Sequence, residues 1–384
     1  MADPKTVARQ AIDHSLGELV ELSHTIHAHP ETAFTEERSS ALTAEVLARH
    51  GFTVTTGVAG LPTAFRAEAG SGPMVVAVCA EYDALPAIGH ACGHNIIAAS
   101  AVGAGLGLAA VADDLGLTVR VLGTPAEEGG GGKVTMLDAG VFDGTHAAMM
   151  VHPWPDDRLE ATCLAVSHFD VTFAGTAAHA SAAPWQGVNT ADAMVVAQVA
   201  LGLLRQQLHP GDQVHGIVTE GGAAANIIPA RTTGRFMCRS TTIDGLHALE
   251  PRVRACFDAG AMATGSTVRF QPLTPDYSHM ESDDDLLGLY RANAEQLGRR
   301  FDLDDAGASK PTLSTDMANV SLAVPTIHPL LGIDTAGAVN HQPEFTAACI
   351  TPSADRAIHD GALSMAWTAI DAARPGSLRD RLLG

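Results

Sequence analysis

Aromatic side chains are scarce in this 384-residue chain, at 4% of residues with three tryptophans, so few clues mark a pocket built by ring stacking. Basic residues are also few: 23 Lys and Arg stand against 43 Asp and Glu, a formal net charge of −20. Polyanion binding relies on clustered cations that displace counterions, so nucleic acid is excluded as an expected partner. No apolar run reaches membrane-spanning length. The most apolar stretch, Ile96 to Val111, is interrupted by Gly and Ala and stops at Asp113-Asp114, so no membrane association is expected. Met1 to Gln10 lacks an apolar signal core, which gives a cytoplasmic expectation. Six cysteines (Cys79, Cys92, Cys163, Cys238, Cys256, Cys349) follow no regular framework and are expected as free thiols, one of them available as a ligand. The glycine run Gly129 to Gly132 lacks the Lys-Ser/Thr ending of a phosphate loop, and no Gly-x-Ser-x-Gly elbow accompanies Ser314-Thr-Asp316. That segment is expected to cap the helix toward Val320. There is no internal repeat and no low-complexity tract.

What remains is an ordinary globular composition, 46% hydrophobic and 17% charged, in a chain long enough for two cores. Helical spacing marks Val7 to Leu22 and Thr35 to His50, with His24, His27 and His29 in an N-terminal turn between them. Strand-like runs follow at Phe52 to Val58, Thr63 to Glu68 and Met74 to Cys79, the last with Cys79 facing inward. A small-residue helix from about His94 to Ala110 comes next, then a strand Thr118 to Gly123, a short helix Lys133 to Asp138 and a strand Ala147 to Val151. Strands alternating with helices imply crossover connections and a mostly parallel α/β sheet. The middle of the chain has a different order. Residues 166–277 give β-α-β-β-α-β, the ferredoxin-like split pattern, and look inserted into a catalytic domain made of residues 1–165 and 278–384. The sheet edge and exposed helices of the insert suggest a homodimer.

Three successive strands of the first domain end in metal-ligand residue types. Cys92 and His94 lie in the loop after the strand ending at Cys79, Glu127 and Glu128 after the strand ending at Gly123, and His152 directly after Val151. Ligands of an open parallel sheet bind beyond the carboxyl ends of its strands, so these side chains are placed to converge. Thiolate, imidazole and carboxylate together suit Zn²⁺ or Mn²⁺ better than the all-oxygen shells of Ca²⁺ or Mg²⁺. Paired glutamates beside such a centre suggest that one binds metal while the other takes a proton from the activated water. An isolated Glu-Glu is more often a solvated helix start. Its coincidence with ligand types at two further strand ends favours chemistry.

These residues sit in motifs: Ala80-Glu-Tyr-Asp-Ala-Leu-Pro86, Gly89-His-Ala-Cys-Gly-His-Asn95, Pro125-Ala-Glu-Glu-Gly129, Val151-His-Pro153, and a late His341 with Glu344-Phe345. Together they closely resemble the amidohydrolase branch of the aminoacylase and glutamate-carboxypeptidase-like metallopeptidases. That branch includes hippurate, auxin-conjugate and aminobenzoyl-glutamate hydrolases and β-alanyl-dipeptidase-like proteins. The resemblance spans nearly the whole chain. It implies two divalent metal ions, Mn²⁺ or Zn²⁺, held by Cys92 as a bridging ligand with His94, Glu128, His152 and His341. It implies Glu127 as general base and Asp83 as a carboxylate that orients a ligand. In the insert, which the resemblance makes a dimerisation and lid domain, His179 matches a histidine that stabilises the oxyanion. Asn226 and Arg239 match substrate-carboxylate and dimer-interface positions.

The implied reaction is hydrolysis of an N-acyl amino acid or small dipeptide-like substrate bearing a carboxylate. Asn95 stands where many relatives have Asp, which places the chain toward the aminobenzoyl-glutamate and β-alanyl-dipeptide side. His328 competes with His341 as the C-terminal ligand, although its strand-like surroundings favour a structural role. His90 is expected to shape its loop, and Trp154 follows His152 closely enough to line the acyl pocket. Two other readings stay open. One is deamination of a small amino-substituted aromatic compound, which releases ammonia without cleaving the chain. The other is a non-catalytic binding protein of the same fold, since a fold alone does not establish activity.

Overall fold

The structure is a computed structural model that describes residues 2–384. Helix α1 (Pro4–Ala28) starts where Asp3 accepts the Thr6 N–H and Pro4 fills the first helical position. Its buried stripe, Ala8, Ile12, Leu19, Leu22 and Ile26, runs one turn beyond the expected end. His24 and His27 therefore ride on the helix, and His29 caps it, in place of the expected turn. The break comes only at Pro30. Helix α2 (Glu37–Arg49) precedes β1 (Thr53–Thr56), β2 (Phe65–Gly70) and β3 (Met74–Ala80). Then come α3 (His94–Ala109), β4 (Leu117–Gly123), α4 (Gly132–Asp138), β5 (Ala147–Met149) and β6 (His152–Trp154).

Cys163–His279 forms a compact unit of its own. Its elements are β7 (Ala165–Ala174), β8 (Ala178–His179), α5 (Thr190–Leu204), β9 (Gln213–Glu220), β10 (Ile227–Ile228), β11 (Arg231–Ser240), α6 (Ile243–Thr264) and β12 (Thr267–Pro272). The main sheet has the order β9-β11-β7-β12 and is antiparallel throughout, as a split β-α-β-β-α-β unit requires. Alternation along β7 turns Phe169, Val171 and Phe173 into a core closed by Phe236 and Phe257, whose rings meet edge-on at 4.8 Å.

The other unit joins the residues up to Thr162 with Met280–Gly384. Its closing segment supplies α7 (Asp284–Gln296), α8 (Met317–Ser321), β13 (Thr326–Ile327), β14 (Leu330–Gly332), α9 (Pro343–Ala348) and α10 (Pro352–Ala372). The central sheet runs β1-β2-β4-β3-β5-β13, with β4, β3, β5 and β13 mutually parallel and β1 and β2 antiparallel at one edge. Helix α3 is almost wholly buried against α1, α10 and β3, which explains its Ala- and Gly-rich sequence. The expected strand Ala147 to Val151 is shorter than its sequence pattern. After Met149 the chain leaves the central sheet and pairs as β6 with β14, so His152 opens a strand where it was expected to follow one. Among the described residues, no helix is long and apolar enough to cross a membrane, and the six cysteines are buried and form no disulfide.

Candidate metal centre

The segments that follow β3, β4 and β5, together with the loop before α9, bring the candidate ligands together. Cys92, His94 and His152 offer ligand atoms within 4.8 Å of one another, as do Cys92, Glu128 and His341. Cys92 is common to both groups. His341 stands in the loop before α9 with a left-handed φ of 68°, its N–H bonded to the Ala91 carbonyl at 3.0 Å and its Nε2 3.8 Å from Glu128 Oε2. A non-glycine residue in that conformation is costly, and such strain recurs at functional sites. His328, the competing histidine, is buried with its ring 5.6 Å from that of His152, but it joins neither ligand group.

Local contacts aim these side chains. Gly93, with φ +74°, lets the chain turn from Cys92 into α3; a Cβ there would lie 2.8 Å from Pro153 Cγ. Gly132 admits the Pro125 carbonyl where a Cβ would come within 2.0 Å of it. Asp83 Oδ1 accepts from His94 Nδ1 at 2.9 Å and Oδ2 accepts the Glu128 N–H at 2.9 Å, so one carboxylate touches two of the candidate ligands. His152 Nδ1 donates to the Pro153 carbonyl at 2.9 Å. Both imidazoles are thereby left with Nε2 as the free ligand atom. Glu36 is fully buried. One oxygen accepts the N–H groups of Phe34 and Ala126, at 3.0 and 2.9 Å, and the other accepts the Thr63 hydroxyl. It thus fixes Ala126, itself at φ 60°, immediately before Glu127.

The donor set fits a divalent cation. His94 Nε2 and Glu128 Oε1 are buried without a hydrogen-bond partner, and they lie 4.0 Å apart. Such orphaned atoms are expensive unless something else satisfies them. Burial, then the charges of Glu81 and Glu128, pushes the Glu127 carboxyl well above the usual carboxylate range. Burial would lower His94, but the carboxylates of Asp83 and Glu81 outweigh it and hold the imidazole well above its ordinary value. Burial and the neighbouring His94 take His152 down to about 4.

Residues 77–357 match Peptidase family M20/M25/M40. The chain belongs to this family. Xaa-Arg dipeptidase of Mus musculus is 39% identical over 381 residues, covering 96% of this chain and 88% of the relative. One of the p-aminobenzoyl-glutamate hydrolase subunits of Escherichia coli is 31% identical over 290 residues, covering 70% and 60%. The fold is shared with an aminobenzoyl-glutamate utilization protein from Klebsiella pneumoniae, with a TM-score of 0.75 at 17% identity over 96% of this chain and 99% of that one. It is shared too with a dinuclear metal-binding peptidase of the M20 family from Bacillus subtilis, at 0.69 and 22% identity over 94% and 99%. Membership in the M20/M25/M40 family and these relatives make the protein a metal-dependent hydrolase of small amide or peptide substrates.

The remaining sequence candidates lie in the inserted unit. His179 is exposed on β8, paired to Ile227 of β10, and the Ala180 N–H donates to the Asn226 carbonyl at 3.0 Å, so His179 and Asn226 share one loop cluster. Arg239 does not join them. It sits near the far end of β11, Nη2 4.0 Å from Met237 Sδ, on the order of 25 Å of strand away from the loop that carries Asn226.

Two features of the site escape a reading of the motifs. Of the segment Ser314-Thr-Asp316, the Thr315 hydroxyl accepts the Met317 N–H at the start of α8, at 3.2 Å, whereas the Asp316 carboxylate makes no capping bond there. It accepts instead from the Lys133 N–H at 2.9 Å and from Lys133 Nζ at 2.6 Å, because a buried ammonium demands that charge more strongly than an amide does. Glu81 takes the other side of the same ammonium, and Glu81, His94 and Glu127 form a third ligand-like group. The only signal in the sequence was the position of Glu81 within one motif and of Lys133 shortly after another.

Proposed function

We propose that the protein hydrolyses dipeptide-like substrates whose C-terminal residue carries a cationic side chain, using two divalent ions, Mn²⁺ or Zn²⁺, held by Cys92, His94, Glu128, His152 and His341. The observation that carries this reading is the pair of three-residue ligand groups sharing Cys92, which suits a sulfur bridging two ions. Charge supports it as well. Glu81, Asp83, Glu127, Glu128 and Asp316 bring five carboxylates into a nearly closed space against Lys133 and His94, an excess of negative charge that cations would offset. The preference for a cationic leaving residue rests on the similarity to Xaa-Arg dipeptidase and on the net charge of −20, which attracts cations at long range.

Bound ions supply Lewis acidity to a water molecule and to the scissile carbonyl. Glu127 accepts a proton from the attacking water and passes it to the leaving nitrogen as the C–N bond breaks, giving an acid and a free amino acid. Asp83 keeps His94 in one tautomer throughout. His179 Nδ1 accepts the N–H groups of Ser181 and Ala182, at 3.3 and 3.1 Å, so its proton resides on Nε2, the tautomer needed to donate to a carbonyl oxygen that gains charge. Asn226 or Arg239 holds the substrate carboxylate; since they lie at opposite ends of β11, the one that does not is left to the dimer interface. A panel of β-alanyl, aminoacyl and N-acyl conjugates of Lys, Arg, Glu and neutral residues tests the reading. Cleavage of the Lys and Arg dipeptides ahead of the rest is expected. Preference for aminobenzoyl-glutamate, or ammonia release without cleavage, would sink it.

The inserted unit is also where a second copy would dock. Val195, Val199 and Leu203 on α5 are 57%, 60% and 62% exposed at helical i, i+4 spacing, and Ile217 and Val218 are exposed on β9, an edge strand of the sheet. Sedimentation of the wild type is expected to give a dimer, and Val199→Asp with Leu203→Asp a monomer. A wild type that is monomeric at micromolar concentration refutes this docking face.

A further inference from the structure

We infer that Glu81 is a metal-facing carboxylate of the centre, set in place by Lys133 from its far side. The proposal rests on reading the cluster as a metal centre. Glu81 follows directly on β3 and is completely buried. Its two oxygens have different surroundings. Oε1 accepts from Lys133 Nζ. Oε2 has no hydrogen-bond partner although it is buried, and it lies 3.5 Å from His94 Nε2, which is itself without a partner.

Two buried polar atoms that face each other at 3.5 Å without a hydrogen bond are both left unsatisfied when nothing stands between them. Two ligands each about 2.1 Å from one tetrahedral ion stand about 3.4 Å apart, so the observed separation suits two donors of a shared cation. His94 cannot turn away to relieve the contact, because Asp83 holds its Nδ1. Glu81 cannot either, because Lys133 is clamped between Glu81 and Asp316 with no exposure to solvent. Lys133 opens the first turn of α4, five residues beyond Glu128, so the segment that carries the paired glutamates also fixes the third carboxylate. A purely structural ion triad would leave both Glu81 oxygens satisfied by cations or amides. Here only one is.

The test compares two variants that break opposite arms of the triad. Metal-free wild type, Glu81→Gln and Asp316→Asn are titrated with Mn²⁺, following free Mn²⁺ by electron paramagnetic resonance, while circular dichroism monitors folding. Glu81→Gln is expected to weaken one of the two wild-type sites by about tenfold or more. Asp316→Asn keeps the metal-facing oxygen and is expected to weaken binding far less. Equal losses in the two variants, or wild-type affinity in Glu81→Gln, overturn the proposal. Should Glu81→Gln not fold, Glu81→Asp retains the charge opposite Lys133 but withdraws the carboxylate by one methylene. The same loss is expected, and unchanged binding overturns the inference. A wild type that binds no metal refutes the centre itself, an outcome distinct from one in which wild type binds two ions and Glu81 makes no difference.

Discussion

Glu127→Ala is expected to lower turnover by roughly 10²- to 10⁴-fold, the usual contribution of a positioned general base, while both metals stay bound. The carboxyl group is buried and adjoins the candidate ligands Glu128 and His94, within reach of a water held there. It can therefore both take a proton from water and give it up to a leaving amine. Its removal leaves Cys92, His94, Glu128, His152 and His341 untouched, which is why metal content should hold. Turnover and metal analysis on the same preparation check this. Retained activity would remove Glu127 from the mechanism. A wild type without activity on any conjugate, whose ligand affinity the substitution leaves intact, would favour a binding protein.

The second large effect concerns Cys92, the one residue present in both of the ligand groups that carry the five candidate ligands. Chelation should abolish activity, and added Mn²⁺ or Zn²⁺ should restore it. Saturating metal should also stabilise the fold, by about 4 kcal/mol at a thousandfold excess over the dissociation constant. Cys92→Ala is expected to lose both ions, whereas His152→Ala and His341→Ala, each confined to one group, should each retain one. Elemental analysis after gel filtration reads the stoichiometry. Two ions retained by Cys92→Ala would exclude a bridging thiolate, and full activity in the chelated wild type would remove metal from the reaction.

Several parts of this fold are legible in the sequence. The order of the inserted strands and helices could be read from the switch between twofold and 3.6-residue periodicity, because each period reflects which face of a single element is buried. Element ends were less legible. His24 and His27 lie on a helix because Ile26 prolongs a stripe buried against other parts of the chain. The β5 strand stops early because β14 competes for the residues after it. Both outcomes depend on partners that lie far along the sequence.

The same distinction holds at the metal centre. The sequence alone placed Cys92, His94, Glu127, Glu128 and His152 at one edge of the domain, since parallel strands joined by crossover helices put all their carboxyl ends on the same side. It did not pair Lys133 with Glu81 and Asp316, which are 52 and 183 residues away along the chain. Nor did it set His341 beside Glu128 and His328 beside His152. Periodicity specifies the face on which a side chain lies, whereas the partner of a buried charge is settled by packing between distant segments, and only the tertiary structure holds that information.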